Sequence, residues 1–218
     1  MKKLFDTLCV AFILLSVCVF PSRALAEEGP PVYGLFLIDQ AEYGYDGQDN
    51  PLFWDLTSWV GGDWNRLWLK SEGEISSDAS SLGAEAQLLY SRLIAPFWEV
   101  QVGLRGDLVT EQESLTRGHL VLGLEGMVPY RFEFEPALFI SQAGDVSMRL
   151  RVTHDLFITQ RLIAQSSAET NLALQEVPEF GVGTGLNDLE LGLRLRYEFR
   201  REFAPYVGVS YEQAFFEA

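Results

Sequence analysis

The chain has 218 residues, 31 acidic against 16 basic side chains, a formal net charge of −15 and 48% hydrophobic residues. So acidic a surface repels nucleic acid and attracts cations. Beyond the first 26 residues no stretch stays apolar for the ~18 residues of a membrane-crossing helix.

The N-terminus reads as an export leader. Lys2 and Lys3 precede an apolar run from Leu8 to Phe20, and Ala24, Leu25 and Ala26 supply a cleavage site, so residues 1–26 are expected to be a signal peptide. The apolar run is too short to anchor the chain, and bulky Val17 before Cys18 argues against lipidation. Both cysteines, Cys9 and Cys18, lie in this leader, so the mature chain has no disulfide frame and no cysteine metal site. Cleavage before Glu27 leaves 13 basic against 30 acidic residues, a net charge of −17.

Downstream the dominant period is two, the signature of strands whose successive side chains face opposite ways. In 65–74, Leu67 and Leu69 alternate with Arg66, Trp68, Lys70, Glu72 and Glu74. In 98–107, Val100, Val102 and Leu104 alternate with Glu99, Gln101, Gly103 and Arg105. In 119–126, Leu120, Leu122 and Leu124 alternate with His119, Gly123 and Glu125. In 131–140, Phe132, Phe134, Leu138 and Ile140 oppose Glu133 and Glu135. In 147–155, Met148, Leu150 and Val152 oppose Arg149, Arg151 and Asp155. In 189–198, leucines and Tyr197 oppose Glu190, Gly192, Arg194, Arg196 and Glu198. Weaker alternation runs through 33–45, 53–61, 82–92, 161–172 and 205–213. The sum is about eleven strands of about ten residues, long enough to cross a bilayer at a tilt.

The connections fall into two sets. Tight ones are expected at 61–63, 94–96, 128–130, 158–160 and 201–204, and longer polar ones at 45–51, 76–81, 110–116, 141–145 and 174–187. Trp54, Trp59, Trp64, Phe97, Trp98, Tyr130, Tyr197, Phe203 and Tyr206 sit near strand ends, where aromatic girdles meet the lipid–water boundary. These features predict residues 27–218 to be an all-β, antiparallel transmembrane β-barrel of the outer-membrane type, with leucine rows toward lipid and ionic rows in a wet interior. A soluble β-sandwich or lipocalin-like barrel shows the same alternation with the faces reversed. Arginine–glutamate pairing, glycines on the charged face and alternating turn lengths favour the membrane form.

The charged face is expected to carry a lumen network of Arg66, Lys70, Glu72, Glu99, Arg105, Glu133, Glu135, Arg149, Arg151, Glu190, Arg194, Arg196 and Glu198. Glu74, Glu85, Asp107, Glu125, Asp155, Arg161, Glu169 and Glu212 should join it. Its bland role is to fill and stiffen a small barrel; its functional role is a path on which acidic rings concentrate cations. Soft or imidazole ligands are few: His119, Met127, Met148 and His154. His119, Glu125, Met127 and His154 are the candidate metal residues, with Met148 and His154 on the apolar parity. The loop 46–50 has a calcium-loop composition without the spacing. With two histidines and no nucleophile elbow or P-loop, the chain is not expected to be an enzyme.

The stretches WVGGDWNRLWLKSEGE (59–74), LLYSRLIAPFWEVQVGLR (88–105), LFITQRLI (156–163) and GLNDLELGLRLRYEFRREFAPYVGV (185–209) resemble the copper resistance protein B (CopB/PcoB) family, and the resemblance runs over about 33–212. It implies an outer-membrane barrel that acts in copper resistance or homeostasis, binding copper ions or passing them across the outer membrane. Outer-membrane lipid, copper and a periplasmic copper oxidase or carrier are the implied partners; copper is cargo rather than a catalytic cofactor. The main alternative is a generic small pore or structural barrel without a metal role, and a third is a soluble periplasmic barrel that binds an apolar ligand. Many family members carry a methionine- and histidine-rich segment before the barrel, whereas 27–32 here has neither residue. Bacterial single-chain barrels have an even strand count. About twelve are expected against about eleven in the pattern, so either the count is one short or this chain lacks the last strand.

Overall fold

The computed structural model describes residues 7–11, 31–44, 50–77, 80–110, 114–200 and 203–215, with the backbone alone at 7–11. The expected cleavage site, most of the loop 46–50 and the chain end at 216–218 lie outside these residues. Eleven long strands follow the eleven alternating stretches: β2 (Tyr33–Tyr43), β3 (Leu52–Gly61), β4 (Asn65–Ile75), β5 (Leu82–Ala95), β6 (Trp98–Thr110), β7 (Ser114–Val128), β8 (Phe132–Ser141), β9 (Val146–Phe157), β10 (Leu162–Ala173), β11 (Gly185–Tyr197) and β12 (Tyr206–Ala214). Each pairs antiparallel with its sequence neighbour.

The twelfth strand, β1 (Thr7–Ala11), closes the ring between β12 and β2. Thr7 to Val10 pair with Ser210 to Val207, and Val10 and Ala11 pair with Tyr43 and Glu42. These residues fall inside the stretch read as a leader. The run TLCVA has the β-branched, uncharged composition that a strand at this seam needs. It supplies partners to residues 207–210 of β12 and to Glu42 and Tyr43 of β2, part of each edge.

Register fixes the faces. Leu104, Leu122 and Leu193 are 59%, 55% and 54% exposed on the outside, while inward Gln101 and Glu42 are only 5% and 2% exposed. A soluble barrel has the opposite arrangement, since charged residues are rarely the buried ones. The outside is apolar and the inside is ionic.

The parity breaks in β2. Leu35 and Leu37 face inward opposite Trp59 and Thr57, and a bulge at Asp39 then turns Gln40 and Glu42 inward opposite Asp55 and Phe53. Two expected girdle aromatics accordingly face the interior. Trp59 sits opposite Trp68, the rings 6.0 Å apart, and Tyr206 is 5% exposed beneath the Arg194 guanidinium. The turn pattern also differs in two places. β6 and β7 run on to a Thr110–Ser114 pairing, which leaves 111–113 as the connection, while 198–205 is longer than expected.

Two glycines make room for outward tryptophans. The Trp98 ring lies over Gly126 and the Trp54 ring over Gly73, each where a Cβ would overlap the indole. An aromatic covering a strand glycine restores the packing that the glycine lacks.

At the end of the barrel carrying the loops, Ser141 organises the β8–β9 connection. Its hydroxyl accepts from the backbone N–H of Ala143 and Asp145 and donates to Asp145 Oδ2 at 2.9 Å. Arg117 also donates to Asp145 Oδ2, at 2.7 Å, and its guanidinium lies 5.2 Å from the Phe180 ring. Phe180 belongs to the connection 174–184, so this loop leans over the mouth. The Ser141 hydroxyl, with Arg117 beside it, holds the Asp145 carboxyl below its ordinary range.

Replacing Gly126 with valine should displace Trp98 and destabilise the barrel by about 1–3 kcal/mol, read as a lower guanidinium midpoint of the detergent-folded protein. The mouth tether should be fully present above about pH 4, the ordinary carboxylate range, and should be lost only as pH falls through the lowered Asp145 value. In an NMR titration, Ser141→Ala should move the Asp145 midpoint upward; an unmoved midpoint would remove the hydroxyl as the cause.

Candidate functional site

The inward side chains enclose a cavity of about 2050 Å³ that runs from Asp145 and Phe180 at the loop end down to Lys70, Asp155 and Arg196. Its middle is held by ion pairs. Glu72 on β4 receives Arg149 Nη1 at 2.6 Å on one oxygen and Arg151 Nη2 at 2.7 Å on the other, both from β9. Arg149 Nη2 reaches Glu85 on β5 at 2.9 Å, and Arg149 Nε reaches Glu169 on β10 at 3.1 Å. Arg151 Nε donates to Glu169 at 2.6 Å. Lys70 Nζ lies 3.2 Å from Glu125 and 3.1 Å from Glu135. Arg105 joins Glu85 at 2.8 Å and Asp107 at 2.6 Å and stacks on Phe139, 4.4 Å from its centroid. Pairing is obligatory where water is scarce: deleting one partner of a desolvated pair strands the other, at about 3–5 kcal/mol.

Smaller clusters line the remaining walls. Toward the turn end, Arg66 Nη1 meets Glu99 at 2.6 Å, Ser91 donates to the other Glu99 oxygen at 2.7 Å, and Trp68 Nε1 donates to Ser91 at 2.9 Å. Arg194 Nε meets Glu42 at 2.9 Å beside Tyr206. Arg196 Nη2 lies 3.1 Å from Asp155 and 3.8 Å from Glu198.

Most of the side chains named for the lumen lie on the inward face. Glu133 and Glu190 lie on that face too, without an ion pair among the described residues. Glu169, Glu190 and Glu212 stand directly opposite one another across β10, β11 and β12. Sequence reasoning missed Asp39, Glu42 and Asp55. The bulge at Asp39 ends the simple alternation of β2, and β3 mixes Trp, Asp and Thr on its inward face. The signal that could have found them is the out-of-step pair of acids at 39 and 42.

The four candidate metal residues do not converge. His119 is 7% exposed on β7, opposite Arg105 and Ser141, with Nδ1 3.5 Å from Asp107 Oδ2 and no hydrogen-bond partner for that nitrogen. Glu125 lies six residues along the same strand, ~20 Å away at the usual rise, and is held by Lys70 and by Gln101 Nε2 at 2.7 Å. Met127 is nearer still to the turn end, opposite Glu133. His154 is on the outer face, stacked on Phe132 at 4.3 Å. They are spread along one strand and across the barrel wall. Met148 faces outward as expected, opposite Leu138. Among the described residues no three His, Cys, Asp or Glu side chains are grouped to hold a metal ion. His119 with Asp107 keeps one useful feature, a carboxylate facing one ring nitrogen, the arrangement that orients an imidazole for ligation through the other.

Comparison with known proteins places this architecture. The family model described as copper resistance protein B precursor (CopB) matches residues 32–218. Copper resistance protein B of Escherichia coli is 44% identical over 181 residues, 83% of this chain and 60% of that protein. The copper resistance protein B homolog of Pseudomonas syringae pv. tomato (strain ATCC BAA-871 / DC3000) is 36% identical over 180 residues, again 83% and 60%. The chain thus spans about 60% of the length of these curated relatives. Its eleven long strands fall within the matched region, and by both measures the chain belongs to the copper resistance protein B family.

Proposed function

We propose that this protein is an outer-membrane barrel that acts in copper resistance by binding copper ions in its lumen or passing them through it. The observation that carries the reading is the inversion of the barrel: exposed Leu, Val and Phe rows outside, ionic rows inside. Hydrocarbon is the solvent that such an exterior matches, and the antiparallel ladders that join β2 through β12 pair the backbone along that wall. The leader-like N-terminus and the precursor description of the matching family support export; cleavage before Glu27 would take β1 with it and leave the barrel wall to the eleven long strands β2 to β12. Copper enters through the names of the relatives.

Lumen chemistry is compatible with a transient stay rather than a tight site. A copper ion entering from the loop end meets His119, a borderline ligand suited to Cu(II), and then oxygen ligands alone. In the cross-strand row Glu169, Glu190 and Glu212, Glu169 is already paired with Arg149 and Arg151, which leaves Glu190 and Glu212 as the carboxylates of that wall open to a passing cation. Binding strong enough to enter and weak enough to leave is what passage requires.

Leu122→Arg puts a charge on the outer face and should cost about 2–4 kcal/mol if that position lies near the bilayer midplane. The measurement is the heat-shifted folded form in outer-membrane fractions; recovery of the wild-type chain in the soluble periplasm would end the membrane reading. Cu(II) titration of the detergent-folded protein should show roughly tenfold weaker binding for His119→Ala. A deletion strain complemented with that variant should be more copper-sensitive than one carrying the wild type. Full rescue and unchanged affinity would take His119 out of the mechanism.

A further inference from the structure

A twelve-stranded ring lies between the eight-stranded barrels that side chains fill and the sixteen-stranded ones that hold open water channels. Only long side chains reaching from both walls can bridge it. In the order of the ring, β3 and β9 stand six places apart, the largest separation possible, and β4 and β9 stand five apart. Arg151 nonetheless comes within 4.0 Å of Asp55 on β3, and Arg149 and Arg151 take both oxygens of Glu72 on β4. The lumen is bridged across its diameter.

The two walls are built unequally. On one, Asp55, Glu72, Glu85 and Asp107 are directly opposite one another across β3, β4, β5 and β6. Four carboxylates in one cross-strand row repel, and Arg105 alone, from the same wall, cannot balance them. The remaining neutralising charge crosses the lumen from Arg149 and Arg151. On the other wall both arginines already hold a second partner. Glu169 on neighbouring β10 takes Arg149 Nε at 3.1 Å and Arg151 Nε at 2.6 Å, through atoms other than those that reach Glu72. Each arginine can leave Glu72 and remain paired.

From this geometry we infer that Arg149 and Arg151 form a gate in the lumen: bridged to Glu72, and Arg149 also to Glu85, they close it, and withdrawn onto Glu169 they open it. Opening uncovers the carboxylate row, so the open path favours cations. A bistable element of this kind needs two arrangements of similar energy, and the shared Glu169 anchor supplies the second. The inference rests on the membrane-barrel reading and not on copper.

The test is conductance in planar lipid bilayers bathed in KCl without copper, on protein first shown to be folded by heat-modifiable migration. The wild type should be mostly closed, with brief openings. Arg149→Ala with Arg151→Ala should raise the open fraction roughly tenfold or more, the change expected for about 1.4 kcal/mol of bridging, with a reversal potential showing cation preference. Glu72→Gln should also raise the open fraction, by less than the double variant because Arg149 still reaches Glu85, whereas Glu169→Gln removes the withdrawn position and should make openings rarer. Arg131→Ala, in the exposed turn Pro129–Arg131 between β7 and β8, should leave gating unchanged. A wild type that conducts as steadily as the double variant, or a Glu169→Gln variant that opens more, overturns the gate while leaving the copper reading intact. Failure of the wild type to float with lipid vesicles overturns the membrane reading and the gate with it. Loss of copper binding with gating preserved overturns the copper reading alone.

Discussion

Charge neutralisation inside a closed sheet is the constraint on which this structure depends. A strand with an apolar outer face has only its inner face for polar residues, so every arginine and glutamate on alternate positions is delivered to the same enclosed space. There they must pair with one another. The pairs join strands that are distant in sequence: Arg149 to Glu72 and Glu85, Lys70 to Glu135, Arg194 to Glu42. Backbone ladders close the ring edge to edge, and the ionic pairs tie it across the middle.

That arrangement also sets what the lumen can do. A wide interior lined by unpaired acids would be a water-filled cation pore, and one lined by apolar side chains would be dry. Here the acids of the β3–β6 wall are held by arginines of the β9 wall, so a cation must compete with a guanidinium for its ligands. His119, set beside Asp107 nearer the loop end, is the one inward imidazole among the described residues and adds a preference that carboxylates lack.

Aromatic residues divide between two tasks. Trp98 and Trp54 lie on the outside over glycines, where they smooth an apolar surface. Trp59 and Trp68 face inward and pack together beneath Arg66 and Lys70, with Trp68 donating to Ser91. The same residue type serves both because an indole offers an apolar ring and one polar N–H. Nothing in the local sequence of β3 marks Trp59 for the second task; its inward position follows from pairing with Trp68.

The sequence by itself determined the strands, their approximate limits and the two faces of most of them, because alternation is a local property that a single strand displays. It determined most of the charged inventory of the lumen for the same reason, though not Asp39, Glu42 and Asp55, and the outward positions of Met148 and His154. It also carried the family, through long motifs in β4, β5, β6 and β11. Only the tertiary structure decided which charges meet. Glu72 and Arg149 are 77 positions apart, and no local pattern encodes the stagger that brings them together. The bulge that turns Glu42 inward, the inward faces of Trp59 and Tyr206, and the strand at Thr7–Ala11 that closes the seam were likewise decided there. Each depends on register between strands, and register is fixed when the whole sheet closes on itself.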